Sequence, residues 1–348
     1  MTDLDQRIDQ TLRERAEGPV DADRLLVSAV LRGRTRVRRR RAAGAGVAVG
    51  VAALLGFGAV AAPMDRLPRL GPAIEPGLTE AAVPLVPPRV GGAPGAAERP
   101  DQIGKDLTLL HIGLAPGGPR YLEWDVGSGK ETAKIDVGGR TVTVELTSVD
   151  VLRANRAWNM PPLDGPTGNR YDGSVTHADG PDGAPIWRRY WQPAPGVYAG
   201  ASVPGPDEGP LYEAAEALRL DQAYKCTGPL RLTDLPAGTQ LIGCSTVVGT
   251  FPAAYAVMLR LIGDRGTGIT IELQYAGTTM TDKAPANRTI GGRPAHFDPT
   301  VARLELLDIP RAQLFAAFNY EQSFTEAEAM TVLLGARVAE HLDRPATW

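Results

Sequence analysis

The chain has 348 residues, 43% of them hydrophobic and 22% charged, and a formal net charge of −3. That is the composition of a folded protein with material for one or two domains, and it excludes a collagen-like, disordered or disulfide-dense chain. The near-neutral total also speaks against nucleic acid as a partner, because the basic charge is concentrated in one stretch and the remainder is acidic.

Leu4, Ile8 and Leu12 form a thin apolar stripe at helical spacing, and Asp21 to Asp23 open a second helix carrying Leu26, Val30 and Val37. Seven arginines lie between Arg32 and Arg41, ending in the run Arg38, Arg39, Arg40 and Arg41. Ala42 to Ala62 then contains neither charge nor proline. At ~1.5 Å of rise per residue such a block spans the ~30 Å bilayer core as one transmembrane helix. Arginines crowded against one end hold that end in the cytoplasm. The expected organisation is a cytoplasmic basic juxtamembrane segment (1–41), a transmembrane helix (42–62) and an extracytoplasmic remainder. The protein is thus placed in the cell membrane as a single-pass protein with the lipid bilayer as one partner. A cleaved signal peptide is the rival reading, since Ala59-Val60-Ala61 looks like a cleavage site; a 41-residue n-region and the length of the apolar run favour retention.

LDQRIDQTLRERAEGPVDADRLLVSAVLRGRTRVRRRR, followed by the Ala/Gly/Val-rich block and a proline-rich stretch, resembles bitopic actinobacterial membrane proteins of the anti-sigma-factor-like type. Thr11-Leu12-Arg13-Glu14-Arg15-Ala16 and Leu25-Leu26-Val27-Ser28-Ala29-Val30 carry the resemblance, which stops at the membrane block. It implies a cytoplasmic regulatory partner for the inner segment and a variable outer domain. The chain departs from the zinc-type pattern in lacking its His and paired Cys residues, which speaks against direct inhibition of a sigma factor.

Residues 63–104, with prolines from Pro63 to Pro100 among Gly, Ala and Val, read as a semi-rigid linker. The remainder reads as a duplicated unit. Leu107 to Gly127 matches Val257 to Gly277 at an offset of 150, and Gly138-Gly139-Arg140 matches Gly291-Gly292-Arg293 at 153. Leu211, Glu213, Ala214 and Leu220 match Phe324, Glu326, Ala327 and Leu333 at 113. Strands are legible at Val197–Val203 and Ala312–Tyr320, and Thr325 with Glu328 forms a capping box before a helix with Met330, Leu333, Leu334, Val338 and Leu342 on one face. Gly209-Pro210 starts the other helix. The expected fold class is α+β: repeat 1 at 105–225, with an insertion near 150–190, and repeat 2 at 226–343, each of antiparallel strands closed by one helix.

Cys226 and Cys244 are the only cysteines, and a pair separated by 18 positions suits a disulfide worth ~3 kcal/mol in the chain-entropy model. No CxxC is present and His111, His177, His296 and His341 lack ligand spacing, so no metal site and no cofactor are assigned. Val126 to Thr132 touches the phosphate-loop pattern but reads as a hairpin turn, and GxSxG, HExxH and SxxK are missing beyond the membrane block.

Around the insertion lies an aromatic cluster from which Trp158, Tyr171, Trp187, Arg189 and Trp191 are taken as ligand-binding candidates. Alternation sets Trp187, Arg189 and Trp191 on one side of a strand and Arg188 with Tyr190 on the other. Rings and guanidinium suit a sugar, an aromatic ligand or an envelope protein, whereas the plainer reading makes the rings core cover for the insertion. The expectation is a membrane-anchored extracytoplasmic binding or sensory protein without catalytic chemistry. The alternative is a cell-envelope hydrolase using carboxylates of the insertion, where Asp164, Asp172, Asp179 and Asp182 lie.

Overall fold

The segment Lys130–Val137 shows how this chain folds: Glu131, Ala133, Ile135 and Val137 point to one face and are buried, while Lys130, Thr132, Lys134 and Asp136 sit half-buried on the other. Period-two burial of this kind marks a strand with one face on the core. The computed structural model describes residues 85–154, 171–180, 183–264, 266, 268–278, 283–318 and 324–348.

In chain order the strands are β1 (Leu109–Leu110), β2 (Gly113–Leu114), β3 (Arg120–Gly127), β4 (Lys130–Val137) and β5 (Arg140–Ser148). A short helix α1 (Val149–Ala154) precedes β6 (Asp172–Asp179), β7 (Pro185–Ala194) and β8 (Val197–Pro204). Then come α2 (Gly209–Ala217), β9 (Leu218–Arg219), β10 (Tyr224–Lys225), β11 (Leu230–Leu232), β12 (Gln240–Val247), β13 (Ala254–Ile262) and β14 (Gly268–Ala276). The chain closes with β15 (Arg288–Ile290), β16 (Arg293–Asp298), β17 (Arg303–Leu306), β18 (Ala312–Phe318), α3 (Glu326–Gly335) and β19 (Ala336–Val338).

Thirteen strands form one sheet in the order β15-β16-β17-β18-β14-β13-β12-β3-β4-β5-β8-β7-β6, with antiparallel pairing throughout. β3 and β12 meet in the middle. Counted outward from there, one half runs β3-β4-β5-β8-β7-β6 and the other β12-β13-β14-β18-β17-β16, with β15 added at the far edge. In each half a helix follows the fourth strand outward, and a short strand then returns to pair with the segment entering that half: β9 with β2, and β19 with β11. A continuous core unites both halves, with Trp124 fully enclosed near the centre; full burial of a large apolar side chain is worth ~1.5–3 kcal/mol.

Hairpin turns are set by residues that tolerate positive φ. Gly138-Gly139 (57° and 84°) and Gly291-Gly292 (56° and 82°) both make the two-residue turns whose twist suits flanking strands. Thr325 accepts from the Glu328 amide at 3.2 Å and Glu328 accepts from the Thr325 amide at 2.7 Å, completing the capping box of α3. This helix stops at Gly335, where a Cβ would lie 2.6 Å from the backbone nitrogen of Asp234. Val338 and Leu342, expected on its face, therefore belong to β19 and to the tail after it.

Several expectations need correction. The fold is not α+β but almost wholly antiparallel β: the three α-helices among the described residues have 6, 9 and 10 residues. The helical periodicity after Thr325 was overextended because apolar strand residues follow the helix at compatible spacing. Nor do the offsets of 150 and 153 align equivalent elements. Leu107–Gly127 contains β1 to β3 whereas Val257–Gly277 covers β13 and β14, and the two Gly-Gly-Arg turns join β4 to β5 and β15 to β16. Alternating strands separated by glycine turns look alike, so a slip of one strand still matches. The stretch read as an insertion supplies β6 and β7, which occupy the same places in the strand order as β16 and β17.

The single-pass membrane placement is likewise corrected. No helix among the described residues is long and apolar enough to cross a membrane. The longest, with 10 residues, extends ~15 Å against a ~30 Å bilayer core. The expected helix at 42–62, the cytoplasmic segment 1–41 and its Arg38 to Arg41 run lie outside the described residues. Of the expected linker, residues 85–104 are packed on the body, with Leu85, Ala96 and Ile103 buried.

Candidate functional site

β6 is an edge strand, and a register shift between Asp172 and Val175 marks a bulge against β7. Gly173 sits there at φ 87°, and its carbonyl accepts from Arg189 Nε at 3.2 Å. On β7 the alternation sets Trp187, Arg189 and Trp191 on the side that meets the core, where both indoles are half-buried. Trp187 Nε1 donates to the Gly205 carbonyl at 3.0 Å, and its ring lies 4.9 Å from that of His177.

The Arg189 guanidinium lies over two rings, 5.4 Å from the centre of Trp191 and 5.0 Å from that of Tyr212 on α2. Tyr212 is 41% exposed, so this stack reaches the surface. Apart from Nε, the guanidinium makes no hydrogen bond or ion pair to another described residue. Its Nη atoms make no hydrogen bond to a described residue, and a guanidinium edge is the donor pair that matches the two oxygens of a carboxylate or phosphate.

Tyr171 is on the other side of the sheet. Its ring meets Tyr198 at 4.4 Å and Tyr190 at 6.2 Å, in a small separate cluster with Leu152. Burial makes the Tyr171 and Tyr190 hydroxyls weaker acids than usual. Trp187, Arg189 and Trp191 are therefore brought together, Tyr171 is not with them, and Trp158 lies outside the described residues. Sequence reasoning missed Tyr212, whose only signal is an aromatic ring on the wet side of a short helix.

Cys226 and Cys244 form a disulfide, with Cα atoms 6.2 Å apart. The Cys226 carbonyl accepts from Trp124 Nε1 and Thr246 Oγ1, each at 2.9 Å, which ties the bridge to the middle of the sheet. Carboxyls made weaker acids by burial are Glu123 and Glu272, both in the body of the sheet and outside the 150–190 stretch. Asp172, on β6, is instead a stronger acid than usual because it accepts from Ser174. No group of three or more potential metal ligands occurs among the described residues.

The most enclosed ionisable pair was also missed. Glu131 is fully buried and accepts from Gly104 N at 3.2 Å, from His111 N at 2.5 Å and from His111 Nδ1 at 2.6 Å. His111 is equally buried, and its Nε2 has no hydrogen-bond partner among the described residues. No family model matches the chain, and no match is found among curated proteins or solved structures.

Proposed function

We propose that the protein is a non-catalytic binding protein and that Arg189, held against Trp191 and Tyr212, receives an anionic group of its ligand. The observation that supports this reading is a half-buried guanidinium lying near the faces of two rings, one of them exposed, with no carboxylate partner among the described residues. An arginine so placed has lost its side-chain freedom before a ligand arrives, which lowers the cost of binding. Trp187 and Trp191 add flat apolar surface beside the charge, so an acidic sugar or an acidic peptide with an apolar neighbour is the class of ligand that fits.

The test is a titration of the full chain with soluble acidic and neutral oligosaccharides and peptides, followed by tryptophan fluorescence. Acidic members are expected to change the emission saturably, and Arg189→Gln to weaken them about tenfold. Equal responses from acidic and neutral members, or an Arg189→Gln protein that binds as before, would remove the reading.

A further inference from the structure

The two short strands that enter and close the second half set like charges side by side. In the ladder of β11 with β19, Arg231 stands directly opposite Arg337, and both are exposed, while Leu230 and Ala336 beside them are buried. Residues opposite one another in such a ladder share a face with Cβ atoms about 4.5–5.5 Å apart, and like charges placed there repel. The same face continues through Thr233 opposite Gly335 and Pro229 opposite Ala339, joined by backbone hydrogen bonds of 2.9 Å each. Small neutral residues therefore flank the two arginines and bring no compensating carboxylate.

Neither charge is neutralised among the described residues. Arg337 Nη1 donates to the Leu334 and Ala336 carbonyls at 2.7 and 3.5 Å, which leaves its Nε and Nη2 without a described partner. Arg231 makes no side-chain hydrogen bond or ion pair to a described residue. Asp234, which follows on the same strand, accepts instead from Thr233 Oγ1 at 2.8 Å. Burial, and after it the charge of Arg231, makes Lys225 a weaker base than usual, so a third cation stands in the same field.

The first half has no such doubling. Gly113 stands opposite Arg219 in the matching ladder of β2 with β9, and Tyr224 covers it: a Cβ on Gly113 would come within 2.7 Å of the Tyr224 hydroxyl. One arginine at this place caps the preceding helix, as Arg219 does. Arg231 has no carbonyl to cap and repels the arginine that does.

We infer that Arg231 and Arg337 hold a phosphate-type dianion between their guanidinium edges, the phosphate group of a soluble ester or of a lipid headgroup. A carboxylate has two oxygens, which a single guanidinium edge fills. A phosphate monoester presents three acceptor oxygens and close to two charges at neutral pH, which two neighbouring guanidiniums match. The bound anion replaces repulsion between the arginines by attraction to a shared centre, and the exposure of both side chains leaves room for the rest of an ester. This site is independent of the Arg189 stack.

The test is a calorimetric titration with methyl phosphate and with acetate, at neutral pH and constant ionic strength. The full chain carries Arg189→Gln throughout, so that an anion bound at the stack contributes nothing. Saturable binding of methyl phosphate is expected, about tenfold tighter than acetate. Adding Arg231→Gln is expected to weaken it about tenfold, and Arg231→Lys, which keeps the charge and loses the planar edge, to recover part of the loss. Without ligand, Arg231→Gln is expected to raise the melting temperature, because one of two facing charges is gone, and methyl phosphate to narrow the difference. Flotation with phosphatidic acid vesicles tells the sources apart: an Arg231-dependent retention that methyl phosphate displaces supports a headgroup, and solution binding without retention supports a soluble ester. The inference is overturned by no saturation below about 50 mM, by acetate binding as tightly as methyl phosphate, or by unchanged affinity in Arg231→Gln. It is equally overturned if Arg231→Gln melts lower than its parent without ligand, since Arg231 would then have a structural task of its own.

Discussion

Arg219 and Arg337 do the same work at corresponding places: Nη1 of each donates to the carbonyl three residues earlier, Glu216 at 2.8 Å and Leu334 at 2.7 Å. Each guanidinium covers an otherwise unsatisfied carbonyl and meets the negative end of the helix dipole. Arg219→Ala and Arg337→Ala should each lower stability by about 1 kcal/mol, with lysine recovering part of it. Urea denaturation of the four variants measures this, and a neutral alanine at either site would show that the corresponding helix end needs no cap.

Glu131 ties the segment entering the first half to β4 through three hydrogen bonds in a site closed to solvent. Glu131→Gln presents an amide N–H₂ to backbone donors and leaves at least one of them unpaired. The expected loss is about 3 kcal/mol, well above that of any exposed carboxylate such as Asp207. A loss below about 1 kcal/mol in equilibrium unfolding would mean that the interior relaxes around the amide.

Burial holds the Glu272 carboxyl above its ordinary range, against the Gln274 hydrogen bond and the nearby Arg303 charge, which pull it down. A raised folded value means that the native state binds the proton more tightly than the unfolded chain does. The ionised form therefore costs stability at neutral pH, and the cost disappears as pH falls through the raised folded value toward the ordinary 4.5. Glu272→Gln should be more stable than the parent at pH 7, with the advantage shrinking on acidification. Melting temperatures of both proteins across that range test it; an advantage constant with pH would assign the effect to packing instead.

Legibility in the sequence followed the range of the forces involved. Local signals were readable: the Thr325 and Glu328 cap, the Gly209-Pro210 helix start and the strand at Val197 all have causes within a few residues of themselves. The pairing of Cys226 with Cys244 needed only a count of cysteines. Strand order was not readable, because β5 bonds to β8 and β14 to β18 across whole hairpins, and one alternating strand offers the same face as another. In the candidate site, alternation alone set Trp187, Arg189 and Trp191 together, whereas Tyr212 arrives from a helix that only the tertiary fold brings near. Glu131 shares its parity in KETAKIDV with Ala133, Ile135 and Val137, so alternation alone sets the carboxylate on the core face, whereas its partners Gly104 and His111 come from outside the strand and had no local signal.

The seam between β3 and β12 is made of backbone pairs from Gly127 with Gly243 to Glu123 with Val247, and Arg260 lies across its two glycines to reach Asp125 at 2.8 Å. A joint of this kind has no hinge: the two wings form a single plank rather than beads on a string. Severing the chain at its midpoint would give each fragment a raw ribbon of unbonded amides, whose most complementary mate is a fragment of the opposite kind and whose next best is a copy of itself. Proteolytic nicking alone therefore leaves the plank whole, since the severed pieces stay laced together along their length.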